Sequence, residues 1–528
     1  MHLVWLLLAS RLMEATGTAV PAAAPLATTQ WQASDWAYLS EGNLHVVFGH
    51  VRGGTRSPQL RGRVLRLRKC SDKPHLPSVS ESAAFAVGVM QRRLGRKYVD
   101  AGQLVALPPG FVSELAELMA VEPRRPAHRR NSTGLNTGCL EGLLLRDLTQ
   151  PRALAFGWRT VDDSVLPSRR SSGAAGPAEG EPEAICVEIK AKCGLLPPGS
   201  SSCRFCQHQA LKLSQGKVST ESGYCPLLLY GGARERDSLR LSDALVGLIG
   251  TPQNNFRVFG AGAALLYGES LPEPEPEPDP QGRDWRRVAW LGETCSTLYP
   301  NAGRQLGVTT PRMVAAAAVL ALVRDLSALL IRERAVLQRL VSLQALDSLG
   351  VGALTARVEK AEKEGRELIA PDLGGLLGGF ATATTAKDVS LMITLQQVSA
   401  EQSRRSLCDS ASERSGDLLS AARSSGQTQQ DAHAWPGDRV LGGGRDEPEW
   451  LDLAMDLAPP GGRKWAYTLT VCDLDPKPTT ANLQKYAKLD AQISAAAAGS
   501  EVSGKVCAGK GLVRRATQVE QLWGDCAR

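Results

Sequence analysis

The sequence predicts a mixed α+β fold, because strand-like and helix-like runs follow one another in its N-terminal part. Residues 36–50 have the pattern of a strand, a glycine-containing turn and a second strand, and Gly62–Lys69 alternates apolar with basic residues. Ser80–Gly95 and Gly110–Glu122 have the apolar spacing of amphipathic helices. Another strand is expected within residues 137–149. Together these runs indicate a small unit of strands with two helices.

Three segments have compositions that do not favour a packed core. Residues 1–27, an apolar run followed by an Ala- and Pro-rich stretch, are expected to form a disordered leader. Residues 271–282 contain an acidic Pro-Glu repeat, and residues 401–447 are rich in Ser, Gly, Arg and Gln. We expect both to be disordered insertions. The leader resembles a short signal peptide but lacks its charged start, so we expect the cytoplasm or nucleus rather than secretion or organelle import.

A long helix is predicted from Thr310, which can cap it, through Pro311 in its first turn, to about Leu349. Its most apolar run, Met313–Val323, is followed by an Arg-Asp pair and is too short to cross a bilayer. No membrane span is therefore expected. For the helix predicted over Ser80–Gly95, the expected N-cap is Ser80 or Ser82.

Charge and cysteine content set weak limits on function. The formal charge, 61 − 54 = +7, suits an anionic partner without identifying one. Twelve cysteines without regular spacing indicate thiols in a reducing compartment rather than a disulfide framework. Cys193, Cys203, Cys206 and Cys225 contain one C-x₂-C, but a convincing four-cysteine zinc site would need a second. No zinc is predicted.

The stretch "EIKAKCG" alternates Glu188, Lys190 and Lys192 with apolar residues after an apolar run. On a strand these three side chains would share one face. Such a face is either an exposed strand end or a group of charges directed at a ligand.

Two further segments combine cationic and amide side chains. Arg204, His208 and Lys212 lie at i, i+4 and i+8, so a helix would place them on one face, where an anion would relieve their repulsion. A solvated basic face is the alternative. Asn254 and Asn255 precede an arginine, and amides with a guanidinium suit several phosphate oxygens. A capping turn would explain them equally well.

Three aspartates lie at the ends of predicted strands. Asp388 precedes the apolar run of "TAKDVSLMITL", and Asp473 and Asp475 follow the run of "TLTVCDLDPKP". Two carboxylates at a strand end can bind Mg²⁺, although an Asp-rich turn has the same pattern. A metal on Asp473 or Asp475, a cation at Lys190 and an acid at Asp388 are the groups that phosphoryl transfer needs. Walker A, H-E-x-x-H and G-x-S-x-G motifs are absent from the sequence.

The segments "EIKAKCG", "CRFCQHQALK", "YCPLLLY", "QNNFRVF", "TAKDVSLMI" and "DLDPKP" occur in the order found in inositol-pentakisphosphate 2-kinases. The sequence resembles this family from about Trp36 to about Ile493. The resemblance implies a two-lobed, kinase-like α+β fold, distantly related to protein kinases and inositol-polyphosphate kinases, with the site between an N-terminal lobe, 28–186, and a C-terminal lobe, 187–528. It implies ATP-dependent, Mg²⁺-assisted phosphorylation of the 2-hydroxyl of inositol 1,3,4,5,6-pentakisphosphate by a monomer without a nucleic-acid partner.

The resemblance also implies roles for individual residues. It places Lys190 at the transferring phosphate and Asp388 at the 2-hydroxyl, which Asp388 would orient and deprotonate. The implied inositol-phosphate ligands are Arg129, Lys192, Arg204, His208, Lys212, Asn254, Asn255, Lys477, Lys485 and Tyr486. The implied nucleotide-side residues are Arg66, Asp147, Glu188 and Arg257. The implied Mg²⁺ ligands are Asp473 and Asp475.

The sequence departs from the family pattern at three positions, where Ala191 replaces a proline, Leu228 replaces an aspartate and Pro476 replaces an apolar residue. Plant members of the family bind zinc in the C-terminal lobe, but residues 307–375 contain no Cys and His cluster that would do so. Two alternatives stay open. One is an inositol-polyphosphate kinase of broader specificity. The other is a non-catalytic module for phosphoinositides or nucleic acid, which the lack of interleaved aromatics does not favour.

Overall fold

The computed structural model of the chain describes most of its length in separate segments. These are residues 31–51, 60, 62–71, 76–123, 125, 127–130, 134–149, 184–260, 265–268, 285–366, 371–398, 449–451, 464–477 and 482–498. The expected leader, 1–27, and the expected insertions, 271–282 and 401–447, lie outside the described residues. The fold is mixed helix and sheet, with two antiparallel sheets, which confirms the predicted α+β class.

The first sheet has five strands in the order β1-β2-β3-β5-β4, and all neighbours are antiparallel. Its strands are β1 Trp36–Glu41, β2 His45–His50, β3 Arg63–Arg68, β4 Gln103–Ala106 and β5 Glu141–Arg146. Alternate residues of the central strands, including Val46, Phe48, Leu65 and Leu67, are buried in one apolar cluster. The period-2 pattern of the sequence therefore gives this sheet its buried face.

Short helices accompany the first sheet. They are α1 Val79–Phe85, a π-helical turn Ala86–Gln91, α2 Arg92–Leu94, α3 Phe111–Ala120 and α4 Ala127–Arg130, with 3-10 turns at Ala33–Asp35 and Arg96–Tyr98. The prediction that Ser80 or Ser82 caps this helix is wrong, because Ser78 caps α1. The Ser78 hydroxyl accepts the Glu81 N–H at 3.0 Å, and the Glu81 carboxylate accepts the Ser78 N–H at 2.6 Å. Of the three serines, only Ser78 has an acid three residues later, which the reciprocal capping box requires.

The second sheet has six strands in the order β10-β11-β9-β6-β7-β8, again with antiparallel neighbours. Its strands are β6 Ala184–Lys190, β7 Phe256–Phe259, β8 Leu265–Tyr267, β9 Ser390–Val398, β10 Glu449–Leu451 and β11 Lys464–Cys472. Strand β6 is buried along its whole length up to Lys190. The strand ends at this lysine, so the alternation expected to continue to Lys192 stops there: Lys192 has a left-handed backbone with φ 59°.

In the described part of the chain, ten further helices follow β6. They are α5 Arg204–Ser214, α6 Pro226–Glu235, α7 Ser238–Gly250, α8 Trp285–Leu298, α9 Ala302–Gln305, α10 Pro311–Arg332, α11 Arg334–Gln344, α12 Val351–Lys363, α13 Pro371–Ala386 and α14 Leu483–Ala498. The largest apolar cluster joins the central strands of this sheet to α5 through α11. A smaller cluster joins α12, α13 and the start of α14.

The predicted long helix begins as expected but is divided. The Thr310 hydroxyl accepts the Met313 N–H at 3.4 Å, which confirms the cap. The helix ends at Arg332, and α11 starts after Glu333 instead of the single helix continuing to about Leu349. At the break, the Glu333 carboxylate turns inward and accepts hydrogen bonds from the Tyr98 and Tyr467 hydroxyls. Helical periodicity continues across the break, so the sequence pattern alone does not reveal it.

Helix α10 is long and apolar enough, by length and composition, to cross a membrane, whereas the apolar run Met313–Val323 alone was predicted to be too short. Within the protein, however, 67% of its most apolar window is buried. Val319, Leu322 and Leu326 lie in the largest apolar cluster. The helix therefore has the position of a core helix.

Glu333 offers a test of how this core is stabilised. Its carboxylate is 3% exposed and also pairs with Lys97 at 3.0 Å. Glu333→Ala is expected to lower the free energy of unfolding by about 1–3 kcal/mol, because two tyrosine hydroxyls lose their acceptor. Urea unfolding measures the change. The control Glu364→Ala removes an exposed carboxylate 3.8 Å from Lys360 and should change stability by less than about 0.5 kcal/mol. Equal effects of the two variants would contradict this interpretation.

Candidate active site

The register of the second sheet brings three strand ends together. Ser390, the first residue of β9, pairs with Lys190 at the end of β6 and with Cys472 at the end of β11. Because neighbouring strands are antiparallel, the start of β9 lies beside the ends of β6 and β11. Asp388, which precedes β9, therefore lies at the same edge of the sheet as Lys192 and Asp473, which follow β6 and β11.

Asp388 lies between two lysines. Its Oδ1 is 3.0 Å from Lys192 Nζ and its Oδ2 is 3.2 Å from Lys477 Nζ. Burial opposes the charged form, but the ammonium groups of Lys192 and Lys477, with Lys190 nearby, lower the pKa of Asp388 to about 2. The carboxylate is therefore ionised at neutral pH. The structure brings together these four predicted residues from segments far apart in the sequence.

A second cluster lies beside the first. Lys190 Nζ is 3.2 Å from Asp473 Oδ2, and the Ser390 hydroxyl lies 2.9 Å from the same oxygen and 2.8 Å from Glu188 Oε1. The single hydroxyl proton can serve one carboxylate at a time. Burial favours neutral Lys190, but Asp473, Glu188 and Asp388 outweigh it and raise the pKa of the lysine. Ser390 was not among the predicted residues, although its position two residues after Asp388 offers a signal.

Asp475 joins the two sheets. It accepts from Arg66 of β3, whose Nη1 is 3.1 Å from Oδ1 and whose Nη2 bonds Oδ2. The same Nη2 is 3.0 Å from Nδ1 of His45, a residue that the sequence argument did not identify. Burial and the Arg66 charge lower the pKa of His45 to about 3, so its neutral ring accepts this hydrogen bond. Asp475 and Arg66, assigned from the sequence to metal and nucleotide respectively, thus lie in direct contact.

The lowered pKa of His45 predicts a pH dependence of stability. An unfolded histidine titrates near 6.5, whereas folded His45 stays neutral down to about 3. As pH falls from 7 to 5, the unfolded chain takes up a proton that the folded protein does not, and stability falls by about 2 kcal/mol through this group. His45→Gln should remove that part of the loss. Urea unfolding of both proteins at the two pH values measures it, and parallel losses would contradict the assignment.

The other residues predicted on the nucleotide side lie in two places. Arg257 of β7 faces Glu188 across the β6–β7 pair, with Nη1 3.0 Å from Oε2. Asp147 is buried in the turn after β5, where its Oδ1 accepts from the Thr149 N–H at 3.0 Å and the Thr149 hydroxyl at 2.6 Å. Glu188 and Arg257 therefore belong to the cluster around Lys190 and Ser390. Asp147 instead stabilises the turn that follows β5.

Helix α5 presents part of the predicted basic face. Burial lowers the pKa of His208, and the charges of Lys212, Lys192 and Lys217 lower it further. These four residues therefore lie on one surface, which we call the basic cluster. His208 is neutral there at neutral pH, and the mutual repulsion of the three lysines favours an anionic ligand. Lys217 is an addition to the predicted set. It follows the helix, so the i, i+4 spacing could not identify it.

Arg204, at the start of α5, is held by α14 rather than left open to a ligand. It forms an ion pair with Asp490 and donates to Ser494 Oγ at 3.0 Å and to Gln207 Oε1 at 2.7 Å. Helical spacing alone places Arg204 and His208 on one face and predicts equivalent roles for them. In the structure, a ligand phosphate would have to compete with the Asp490 carboxylate for its guanidinium.

The paired amides differ in their surroundings. Asn254 is exposed, whereas Asn255 is 1% exposed, and its carbonyl accepts the Lys190 N–H at 2.9 Å. Within the described part of the chain, neither polar atom of the Asn255 side chain has a hydrogen-bond partner. Buried amides are usually paired, so this side chain is suited to a polar partner such as water or a ligand.

Two more residues predicted to bind the inositol phosphate, Lys485 and Tyr486, lie on α14. Burial raises the pKa of Tyr486, with Lys477 acting to lower it and Asp388 to raise it, so the phenol lies close to both. Lys485 is exposed on the same helix. Tyr486 therefore joins the site around Asp388.

Arg129 lies on the first sheet's side of the molecule. Its Nη1 donates to Asn43 Oδ1 at 2.8 Å, in the turn between β1 and β2. Glu41, at the start of that turn, forms buried ion pairs with Lys69 Nζ at 2.6 Å and Arg125 Nε at 2.6 Å. These contacts fix the turn that Arg129 touches.

Among the residues that the structure describes, two sets of side chains could hold a metal. The ionised carboxylates of Asp473 and Asp475, whose pKa values are lowered by neighbouring cations against the effect of burial, offer the hard oxygen ligands that Mg²⁺ prefers. Cys203, Cys206 and Cys225 have sulfurs within 4.8 Å of one another, a donor set that suits a soft ion such as Zn²⁺ with one further ligand.

Comparison with known proteins agrees with these motifs. The family model for inositol-pentakisphosphate 2-kinase matches residues 38–492. A protein of Danio rerio with that name is 34% identical over 248 residues, 43% of this chain and 44% of the relative. Proteins of the same family name from Oryza sativa subsp. japonica and Arabidopsis thaliana are each 30% identical, over 45% of this chain and 54% of the relative.

The chain thus spans about half the length of the curated relatives it matches. The family model, by contrast, covers all the strand ends and helices that form the site, from Arg66 to Tyr486. Because this match extends over well more than half of the chain, the protein belongs to the inositol-pentakisphosphate 2-kinase family.

Proposed function

We propose that this protein transfers the γ-phosphoryl group of ATP to the 2-hydroxyl of inositol 1,3,4,5,6-pentakisphosphate, giving inositol hexakisphosphate. One observation carries the proposal: an ionised carboxylate, Asp388, lies between two substrate-side lysines and close to Lys190. Family membership and the names of the relatives support the same reaction.

Asp388 is the proposed proton acceptor for the attacking hydroxyl. In the free protein its pKa is about 2, too low for an efficient base at neutral pH. Phosphates bound to Lys192 and Lys477 would draw those ammonium groups away and add negative charge beside the carboxylate. Both changes raise the pKa of Asp388. Substrate binding would therefore prepare the base as well as position the hydroxyl.

Lys190 is the proposed cation on the phosphoryl group in transfer. Its pKa is raised, so it carries a full charge at neutral pH. Asp473 and Asp475 are the residues that would hold Mg²⁺, and the ion, when bound, would neutralise charge on the nucleotide phosphates. Arg66, Glu188 and Arg257 border this side of the site and are the proposed nucleotide neighbours.

The basic cluster is the proposed binding site for the phosphates of the inositol substrate. Each phosphate carries about 1.5 to 2 negative charges at neutral pH, so a pentakisphosphate would offset the repulsion among Lys192, Lys212 and Lys217 around the neutral His208. Tyr486 and Lys477 would complete this side.

We further propose that the two sheets belong to two lobes of a kinase-like fold, with the site between them. The support is the contact between Arg66 of the first sheet and Asp475 at the end of β11 in the second. Every residue in the proposed site lies on one chain, so a monomer is sufficient for the reaction.

The test is an assay with ATP, Mg²⁺ and inositol 1,3,4,5,6-pentakisphosphate, followed by separation of the products. Hexakisphosphate should form, and inositol phosphates that lack several phosphates should react far more slowly because they leave the basic cluster uncompensated. Comparable rates with many acceptors would favour a kinase of broader specificity. Binding of the pentakisphosphate without any transfer by folded protein would indicate a non-catalytic module.

A further inference from the structure

Gln344, the last residue of α11, lies behind the site and is 1% exposed. Its Oε1 accepts the Gly194 N–H at 2.8 Å, and its Nε2 lies 3.0 Å from the Lys192 carbonyl oxygen and 3.1 Å from that of Ala386. The Tyr230 hydroxyl is a further neighbour, 3.1 Å from Nε2. One buried amide thus bonds the segment that follows β6 and the segment that precedes β9.

These two segments carry opposite partners of the central ion pair. Lys192 provides the ammonium, and Asp388, two residues after Ala386, provides the carboxylate at 3.0 Å. Lys192 also has a left-handed backbone conformation, φ 59°, which residues other than glycine rarely adopt. Such a conformation persists only where surrounding contacts hold it. The carbonyl of Lys192 receives hydrogen bonds from both Gln344 Nε2 and the Tyr230 hydroxyl.

We propose that Gln344 is a positioning residue, which fixes the separation of Lys192 and Asp388 by joining the two backbone segments that carry them. This inference rests on the proposed function for its catalytic consequence. The contacts require an amide, because one end must accept an N–H while the other donates to two carbonyl oxygens. Glutamate offers no donor when ionised, and methionine offers neither group at a similar volume.

The consequence for turnover follows from geometry. The proton acceptor and the substrate-side lysine must keep their relative positions while the hydroxyl lies between them. A displacement of about 1 Å at such a site costs up to about 100-fold in rate. Gln344→Met is therefore expected to lower kcat about 10- to 100-fold. It should also weaken binding of inositol pentakisphosphate about tenfold, because Lys192 loses its fixed direction. Nucleotide affinity should stay within about twofold, since the hydrogen-bond partners of Gln344 in the described part of the chain include none of the proposed nucleotide neighbours.

Gln344→Glu provides a readout that a purely structural role would not give. A carboxylate facing the Lys192 and Ala386 carbonyl oxygens would have a raised pKa, from burial and from the loss of the donor contacts. Its neutral form regains one donor hydrogen. The ratio of Q344E to parent activity should therefore rise as pH falls from 8 to 6, whereas the ratio for Q344M should stay constant.

The experiment measures kcat and KM for both substrates, the Kd of inositol pentakisphosphate without ATP, and thermal stability, on the parent, Q344M, Q344E and Tyr299→Phe. The last is the matched control, since it removes another buried hydrogen bond, Tyr299 to Asp325 at 2.8 Å, away from the site. It should lower stability and leave kcat and Kd unchanged. The proposal is overturned if Q344M and Q344E lose stability only, like the control, or if the Q344E ratio is independent of pH.

The same measurements separate this inference from the proposed function. A parent protein that binds the pentakisphosphate but transfers nothing would refute the proposed reaction, while the Kd values of the variants would still decide whether Gln344 positions Lys192. An active parent with unchanged variants would refute the role of Gln344 alone.

Discussion

Replacing Asp388 by asparagine is expected to lower kcat about 100- to 10,000-fold, the range that loss of a positioned general base produces. The amide keeps the size of the carboxylate but cannot accept the hydroxyl proton. Binding of the pentakisphosphate should be unchanged or tighter, because Lys192 and Lys477 lose a competing anion, 3.0 and 3.2 Å away. Steady-state kinetics and calorimetric binding measure the two effects.

Asp237→Asn is the matched control for this variant. Asp237 caps α7, accepting from the Leu239 and Arg240 N–H groups at 3.1 Å, and asparagine caps helices about as well as aspartate. The control should therefore keep the parent kcat. If D388N turns over normally at saturating substrate and only its KM rises, then Asp388 is a binding residue and the proposed base must be sought elsewhere.

Replacing Lys190 by methionine has the second large expected effect, a fall in kcat of about 100- to 1,000-fold. The ammonium would meet the phosphoryl group only as it passes between donor and acceptor, so its loss should affect the transition state more than the bound substrates. KM for ATP and for the inositol phosphate should change much less than kcat. Removing the cation also takes from Asp473 its 3.2 Å partner, so stability must be measured in parallel.

Lys97→Met provides the comparison, because it breaks another lysine–carboxylate pair, with Glu333 at 3.0 Å, remote from the strand ends of the site. It should cost some stability and no turnover. A fall in kcat/KM for K190M that arises entirely from weaker substrate binding would contradict the role given to Lys190.

The sequence predicted the strand ends of the site because each charged residue lies at the boundary of an apolar run. Asp388 precedes the run that forms β9, Lys190 ends the run of β6, and Asp473 follows the run of β11. The antiparallel register then places these boundaries side by side. Local patterns were sufficient here because burial of the strands and exposure of their ends are both visible in the sequence.

The contacts between distant segments could not be predicted in this way. Arg66 and Asp475 are 409 residues apart, and nothing in either neighbourhood indicates the other. His45 and Gln344 have no distinctive spacing, and their roles depend on side chains that tertiary folding brings to them. The division of the long helix at Glu333 has the same origin, because its buried carboxylate meets tyrosines from two other segments. Helical periodicity is insensitive to such partners.

The most direct test of the central claim is phosphorus NMR of the inositol phosphate formed from ATP, Mg²⁺ and inositol 1,3,4,5,6-pentakisphosphate, after its separation from ATP and ADP, which contain diphosphate bonds themselves. Only the 2-hydroxyl of this acceptor is free, so transfer to it must give six phosphate monoesters and no diphosphate. The geometry around Asp388 predicts that result, together with its loss in D388N. Diphosphate resonances would show transfer to an existing phosphate instead, and that outcome, or hexakisphosphate formed equally well by D388N, would contradict the account.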